Sequence, residues 1–287
     1  MTSGMFREIT RIFGERRHLS RWETVHKRIG LPLLTKNTGD SDTAAHGDPT
    51  PLESITTPSD PRFPLAIDHT LLKQEATPAQ IDALCDEAIK YGFKSCCING
   101  IYVKRVAERL QGSQTITCCV VGFPLGAGSA ETTAYEAQQA IKDGALEVDT
   151  VIPLGFLLAQ PPQYSDIFKH LQTIISSAGP IPVKVIIETG LIPTPELKIA
   201  ACVLAAEAGA SFVKTSTGFA SGGGATKEDV QLMYRAVRYK GNVKVKASAG
   251  VRSFEACKEM FAAGAERIGT CIFGVSIVKN ATAAEDY

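Results

Sequence analysis

The chain has 287 residues, 44% of them hydrophobic, and balances 30 Lys and Arg against 30 Asp and Glu. That is ample apolar material for a packed core, and a formal net charge of zero gives no global pull toward nucleic acid or an anionic membrane. No apolar run approaches the ~18 residues that would suggest a membrane span.

Residues 1–58 differ in composition from the rest, so the sequence divides into an extension, 1–58, and a main domain, 59–287. The first thirty residues carry Arg7, Arg11, Arg16, Arg17, Arg21, Lys27 and Arg28 against Glu8, Glu15 and Glu23. Met5, Phe6, Ile9, Ile12 and Phe13 share one helical face. Asn37 to Pro61 is rich in Thr, Ser, Asp, Gly and Pro, the composition of a flexible linker. Two readings of the extension stay open: an organelle-targeting peptide, which its glutamates oppose, and a loosely docked or disordered arm.

From Leu65 the pattern becomes regular. Strand-like apolar runs are expected at Leu65–Asp68, Phe93–Ile98, Thr115–Val121, Leu146–Ile152, Val183–Ile187, Phe212–Lys214, Val243–Ala247 and Arg267–Thr270, each followed by a helical stretch. Ile81, Leu84, Cys85, Ala88 and Ile89 form one apolar stripe, and Tyr164, Ile167, Phe168, Leu171, Ile174 and Ile175 form another. Thr77-Pro78-Ala79-Gln80 and Thr194-Pro195-Glu196 carry helix-start signals. Gly92, Gly144, Gly209, Gly241 and Gly264 stand where helices should end. Eight strand-helix units predict an α/β fold, a (β/α)8 TIM barrel, with an N-terminal extension. An open dinucleotide-binding sheet would want a glycine-rich turn after its first strand, and Asp68-His69-Thr70 offers none.

The cysteines at 85, 96, 97, 118, 119, 202, 257 and 271 lie mostly inside apolar runs and read as reduced thiols of a cytoplasmic protein. No Cys-x-x-Cys spacing occurs, and the adjacent pairs must point to opposite strand faces, which argues against a structural zinc site.

In such a barrel the chemistry sits at the C-terminal strand ends, here read as Asp68, Cys97 with Asn99, Gly122, Asp149, Glu188, Lys214, Lys246 and Gly269. Ser211-Phe212-Val213-Lys214-Thr215-Ser216-Thr217-Gly218 ends an apolar run in a lysine followed by small residues, and Val243-Lys244-Val245-Lys246 repeats the motif. Burial disfavours a lysine's charged form, so two lysines at neighbouring strand ends suggest imine chemistry, one as nucleophile and one as its cationic partner. The plainer reading is two solvent-reaching lysines. Residue parity places Lys184 and Lys244 lower in the barrel, where a buried charge network with Glu147 and Asp149 is expected.

Six ordered segments carry a resemblance. They are Ile67-Asp68-His69-Thr70-Leu71-Leu72-Lys73, Val121-Gly122-Phe123-Pro124-Leu125-Gly126, Gly144 to Ile152, Val183 to Gly190, Phe212 to Phe219 and Ala263 to Thr270. From about Leu65 to Val278 the chain resembles the deoxyribose-phosphate aldolases, class I enzymes of deoxynucleoside breakdown. The resemblance implies reversible cleavage of 2-deoxy-D-ribose 5-phosphate to acetaldehyde and D-glyceraldehyde 3-phosphate. It implies Lys214 as the Schiff-base lysine, Lys246 as the partner that lowers its pKa, and Asp149 as the carboxylate of the proton relay. Asp68 and Cys97 fall near the substrate, with Thr215, Gly218, Gly250 and Gly269 as further substrate-binding positions. It also implies a phosphorylated sugar as the ligand, no metal or organic cofactor, and a homodimer or homotetramer. Glu188 is expected to orient a lysine.

The sequence departs from the family at the expected phosphate site. Ala249-Gly250 replaces the usual Gly-Gly, and Cys271-Ile272 replaces small hydroxyl residues. An alanine at 249 is strained if its φ is positive. These departures leave open a related aldolase acting on a different or unphosphorylated aldehyde, and a catalytically silent binding barrel remains the non-enzyme reading. The Gly222-Gly223-Gly224 run is read either as a phosphate contact or as a flexible loop. Tyr287 is read either as a tail proton donor, as in some family members, or as a frayed end.

Overall fold

The structure is a computed structural model that describes residues 52–271. The basic segment 1–30, most of the linker, Ile272 and the Tyr287 tail lie outside the described residues. Eight parallel strands close in chain order into a barrel: β1 (Ile67–Leu71), β2 (Ser95–Asn99), β3 (Ile116–Val121), β4 (Glu147–Val151), β5 (Val183–Ile186), β6 (Phe212–Lys214), β7 (Lys244–Ser248) and β8 (Arg267–Thr270). Between them run α1 (Pro78–Tyr91), α2 (Val103–Arg109), α3 (Ala130–Lys142), a short α4 (Leu154–Leu158), α5 (Tyr164–Ser177), α6 (Pro195–Glu207), α7 (Lys227–Val237) and α8 (Phe254–Ala262). The TIM barrel expectation holds, and the helix expected after β8 falls outside the described residues.

The local signals act as their chemistry requires. The Thr77 hydroxyl accepts from the Gln80 N–H while the Gln80 side chain accepts from the Thr77 N–H, a complete capping box at α1. Thr194 and Thr226 cap α6 and α7 through the hydroxyl alone, accepting from Leu197 N and Asp229 N. All five expected helix-end glycines have positive φ. The apolar stripes of α1 and α5 pack on the outside of the sheet, except that Ile89 is 42% exposed. Each adjacent cysteine pair splits as expected: Cys96 and Cys119 join the shell between sheet and helices, while Cys97 and Cys118 join Leu72 and Val120 inside.

Residues 52–63 form turns. Ile55 and Phe63 are buried in the main core, and Phe63 meets Phe254 and Phe261 of α8 edge-on at 5.0 and 6.1 Å. The first strand starts later than the apolar pattern suggests, because Pro64–Ala66 winds into a 3-10 turn. Asp68 is therefore the second residue of β1, not its last, and sits within the barrel wall opposite Ser95 and Gly269.

Candidate active site

Alternation along short parallel strands sends one set of side chains inward, and here seven of that set carry ionisable charges: Asp68, Glu147, Asp149, Lys184, Lys214, Lys246 and Arg267. Register pairs Asp149 with Lys184, Lys214 with Lys246, and Lys246 with Arg267. These five residues, with Asp68 and Glu147, form one buried cluster. Asp149 is its hub: Oδ1 accepts from Lys184 Nζ at 2.8 Å, and Oδ2 accepts from both Lys214 Nζ and Lys246 Nζ at 2.9 Å. Asp68 Oδ2 accepts from Lys246 Nζ at 2.5 Å, while Oδ1 accepts from Arg267 Nη1 at 2.6 Å and Ser95 Oγ at 2.7 Å. Glu147 accepts from Arg267 at 2.9 and 3.2 Å and lies 2.7 Å from Lys184 Nζ.

Burial and charge oppose each other at the four groups that follow, and charge wins at each. Burial pushes the Asp149 carboxyl up, but Lys184, Lys214 and Lys246 hold it well below the usual carboxylate range. Burial likewise raises Asp68, and Arg267, Lys246 and Lys184 bring it below that range. Burial pushes Lys246 down, yet Asp149 and Asp68 hold it above the ordinary lysine value. Lys184 is held well above that value against burial, with Asp149 foremost among its anionic neighbours. Lys246 therefore stays cationic and Asp149 anionic across the neutral range.

Lys244, expected in this network, does not join it. It is the first residue of β7, its side chain is half exposed, and it pairs with Glu266 at 3.2 Å. Glu188 does not orient a lysine either. The strand ends at Ile186, Glu188 turns into the left-handed region (φ 57°, ψ 62°), and its carboxylate accepts from Thr217 N and Oγ1. A non-glycine residue held there costs about 1–3 kcal/mol and persists only where its surroundings enforce it.

The other expected positions fall as follows. Cys97 is fully buried on β2 opposite Cys118 of β3, and a hydrogen bond from Cys118 lowers the pKa of its thiol. The Thr215 hydroxyl is buried and bridges to β7, donating to Ser248 O and accepting from Ser248 N at 3.0 Å each. Gly269 leaves room for the lysine stem, since a Cβ there would stand 3.0 Å from Lys246 Cε and 2.5 Å from Ser248 Oγ. Gly218 and Gly250 have φ of 85° and 79°, and Ala249 shares that conformation at 69°, so it is strained. The glycine run is packed between neighbours: a Cβ on Gly222 would lie 2.4 Å from Gly190 O, and one on Gly224 would lie 2.3 Å from Ala249 O.

Sequence reasoning overlooked Arg267, Ser95, Cys118 and Thr217. Arg267 shares parity with Gly269 on a four-residue strand, which was signal enough. Thr217 could not be found this way, because it lies beyond β6 where alternation no longer applies. Cys97 Sγ, Cys118 Sγ and an Asp149 oxygen lie within 4.8 Å of one another, a spacing that suits a metal ion. Here Lys184 Nζ already donates to Asp149 Oδ1 and to Cys118 Sγ at 3.3 Å, so an ammonium group uses those donors. A hollow of about 720 Å³ between the ends of β2 and β3 and α3 is lined by Asn99, Phe123, Leu125, Tyr135, Glu136 and Asp143 among others. None of the cluster's charged residues lines it, so it lies apart from this chemistry.

Comparison with known proteins agrees with the geometry. The family model described as DeoC/LacD family aldolase matches residues 63–284. A deoxyribose-phosphate aldolase of Staphylococcus carnosus is 49% identical over 221 residues, covering 77% of this chain and 97% of its own length. One from Carboxydothermus hydrogenoformans is 51% identical over 225 residues, covering 77% and 96%. Among solved structures, a tetrameric deoxyribose phosphate aldolase from Aeropyrum pernix superposes with a TM-score of 0.69 at 29% identity, covering 79% of this chain and 93% of that one.

Proposed function

The chain belongs to the DeoC/LacD aldolase family, and we infer that it is a deoxyribose-phosphate aldolase, a carbon–carbon lyase that cleaves 2-deoxy-D-ribose 5-phosphate reversibly to acetaldehyde and D-glyceraldehyde 3-phosphate. The observation that carries the mechanism is the sharing of Asp149 Oδ2 between Lys214 and Lys246.

Neutral Lys214 attacks the aldehyde carbon of the open-chain sugar. Loss of water from the carbinolamine gives a protonated imine. A base removes the proton of the substrate's C3 hydroxyl, the C2–C3 bond breaks, and its electron pair flows into the imine to leave an enamine. Glyceraldehyde phosphate departs. Protonation at C2 and hydrolysis then release acetaldehyde and the amine. The iminium is the electron sink, so this chemistry calls for no metal or organic cofactor.

Charge balance supports these roles. Asp68, Asp149 and Glu147 face Lys184, Lys214, Lys246 and Arg267. With Lys214 as a neutral amine the formal charges cancel; the iminium adds one positive charge, which its electron-pulling step then discharges. Lys246, held cationic, keeps a positive charge beside the nucleophile. Asp149 touches both nitrogens on one oxygen and passes protons between them without storing one.

Cys97, Thr215, Gly218, Gly250 and Gly269 complete the substrate surroundings in this reading, with Asp68 acting through Lys246. The phosphate is assigned to the backbone around Gly218 and Gly250. Ala249 keeps the left-handed backbone a glycine would adopt, which supports retention of the phosphorylated substrate. The catalytic unit is assigned to 59–287 with 1–58 as an extension, whose last part is tied to the core through Ile55. A cytoplasmic homo-oligomer, dimer or tetramer, fits the tetrameric relative. No helix among the described residues is long and apolar enough to cross a membrane.

Borohydride trapping tests the mechanism. Incubation with acetaldehyde, reduction and peptide mass spectrometry should place an ethyl group on Lys214, and the adduct should vanish in Lys214→Ala. A folded protein with no adduct on Lys214 would sink the class I reading.

A further inference from the structure

An anion-binding loop gains nothing electrostatically from a buried carboxylate, so Glu188 needs a geometric reason to stand beside one. It is 4% exposed and holds a backbone conformation that a glycine would adopt without strain. Both carboxylate oxygens are turned to Thr217: its N–H lies 3.2 and 3.3 Å from them, and its hydroxyl donates to Oε2 at 2.5 Å. The Thr217 hydroxyl in turn accepts from Phe219 N at 3.0 Å, so the link runs across Gly218.

Backbone bonds flank this contact. Ile187 N donates to Lys214 O and Thr189 N to Thr215 O, both at 2.9 Å, continuing the β5–β6 ladder to the point where Glu188 departs from it. Two residues on, Gly190 touches Gly222 so closely that a Cβ on Gly190 would stand 2.1 Å from Gly222 O. The segment after β5 thus grips the segment after β6 on both sides of Gly218.

We propose that Glu188 is a positioning residue, which fixes Thr217 and through it Gly218 at a set distance from Lys214, so that the phosphate-bearing end of the substrate is held while its carbonyl reaches the amine. The proposal rests on the aldolase reading above and deepens it. Among the described residues the Glu188 carboxylate is hydrogen-bonded to Thr217 and forms no ion pair with the lysine cluster, so it governs substrate binding and leaves the amine's reactivity alone.

Steady-state kinetics with 2-deoxyribose 5-phosphate, beside acetaldehyde–borohydride labelling of Lys214, separates these effects. Glu188→Ala should raise KM about tenfold or more while kcat changes less than about threefold. Glu188→Gln, which keeps an acceptor for the Thr217 N–H, should restore most of the affinity. Labelling of Lys214 by acetaldehyde, which carries no phosphate, should proceed at the wild-type rate in both. Should Glu188→Ala fail to fold, Glu188→Asp, one methylene too short, and Thr217→Val should each raise KM in the same way. An unchanged KM in the folded variants would overturn the proposal, as would labelling that falls in step with kcat. A wild-type protein that is never labelled would instead overturn the aldolase reading, and this proposal with it.

Discussion

Lys214 and Lys246 stand side by side as register partners on β6 and β7, and their amine nitrogens meet the same oxygen, Asp149 Oδ2, at 2.9 Å each. The nucleophile position thus stands beside a lysine that its carboxylate neighbours hold cationic, and both amines depend on one carboxylate oxygen. Asp149→Asn removes that counter-charge from three lysines at once. Breaking a buried ion pair on one side costs about 3–5 kcal/mol, and loss of a proton-relay group costs about 10²–10⁴ in rate. The variant should therefore melt well below wild type and lose at least about a hundredfold in kcat. Kinetics at a temperature where the variant is shown to be folded checks this; near-normal kcat would remove Asp149 from the relay.

The same cluster fixes how stability follows pH. Asp68 and Asp149 have folded-state pKa values below their unfolded ones, so their contribution is complete above the unfolded value near 4 and is lost as pH falls toward the folded values. Lys184, Lys246 and Arg267 are raised, so theirs is complete below the unfolded lysine value near 10.5 and is lost only as pH climbs beyond it. Burial also raises the thiols of Cys119, Cys202 and Cys257 above their unfolded value of about 8.5, so thermal unfolding should show a plateau from roughly pH 5 to 8, with a steep acid limb and a gentler decline on the alkaline side. Both carboxylates are fully buried, so added salt should barely move that limb. A melting temperature that rises below pH 4 would contradict the assignment.

Most of the barrel was legible because its signals are local. Strand-helix alternation, the Thr77 and Thr194 caps and the helix-end glycines each depend on residues within one turn of each other. Lys214, Lys246 and Asp149 were legible because alternation along a strand gives the facing side. That reasoning fails where a strand ends. Lys244 has the parity of Lys246 but opens its strand, so it reaches solvent; Glu188 has the parity of Lys184 but lies past the strand end in a left-handed turn. Parity gives the inward side of Arg267 but not its partner: Arg267 meets Asp68 from 199 residues away and Ser95 meets it from 27, pairings that no local pattern encodes.

The contrast between two lysines of equal parity gives a direct test. Lys184 is fully buried among Asp149, Glu147 and Asp68, while Lys244 holds Glu266 with a half-exposed side chain. Lys184→Met leaves its carboxylates under-compensated and should cost about 3–5 kcal/mol. Lys244→Gln removes a surface pair and should stay within about 1 kcal/mol of wild type. Urea unfolding of both variants measures the gap, and equal costs would mean that Lys184 contributes no more than a surface charge.

Ala249 offers a change in the opposite direction. Its φ of 69° places a Cβ where only glycine is at ease, and its carbonyl is pinned by Ala225 N at 2.9 Å with Gly224 packed against it. A left-handed conformation costs a non-glycine residue about 1–2 kcal/mol. Replacing it with glycine gives back about 0.4–1 kcal/mol through the freer unfolded chain. Ala249→Gly should therefore stabilise the fold by roughly 0.5–1 kcal/mol, or about 1–4 °C for a domain of this size. The backbone path is already the one glycine would take, so KM for the phosphorylated sugar should not change. Ala249→Val should do the reverse, because a β-branched side chain tolerates this region least. Calorimetry on the two variants decides it: a lower melting temperature for Ala249→Gly would show that the methyl group packs favourably enough to outweigh its strain.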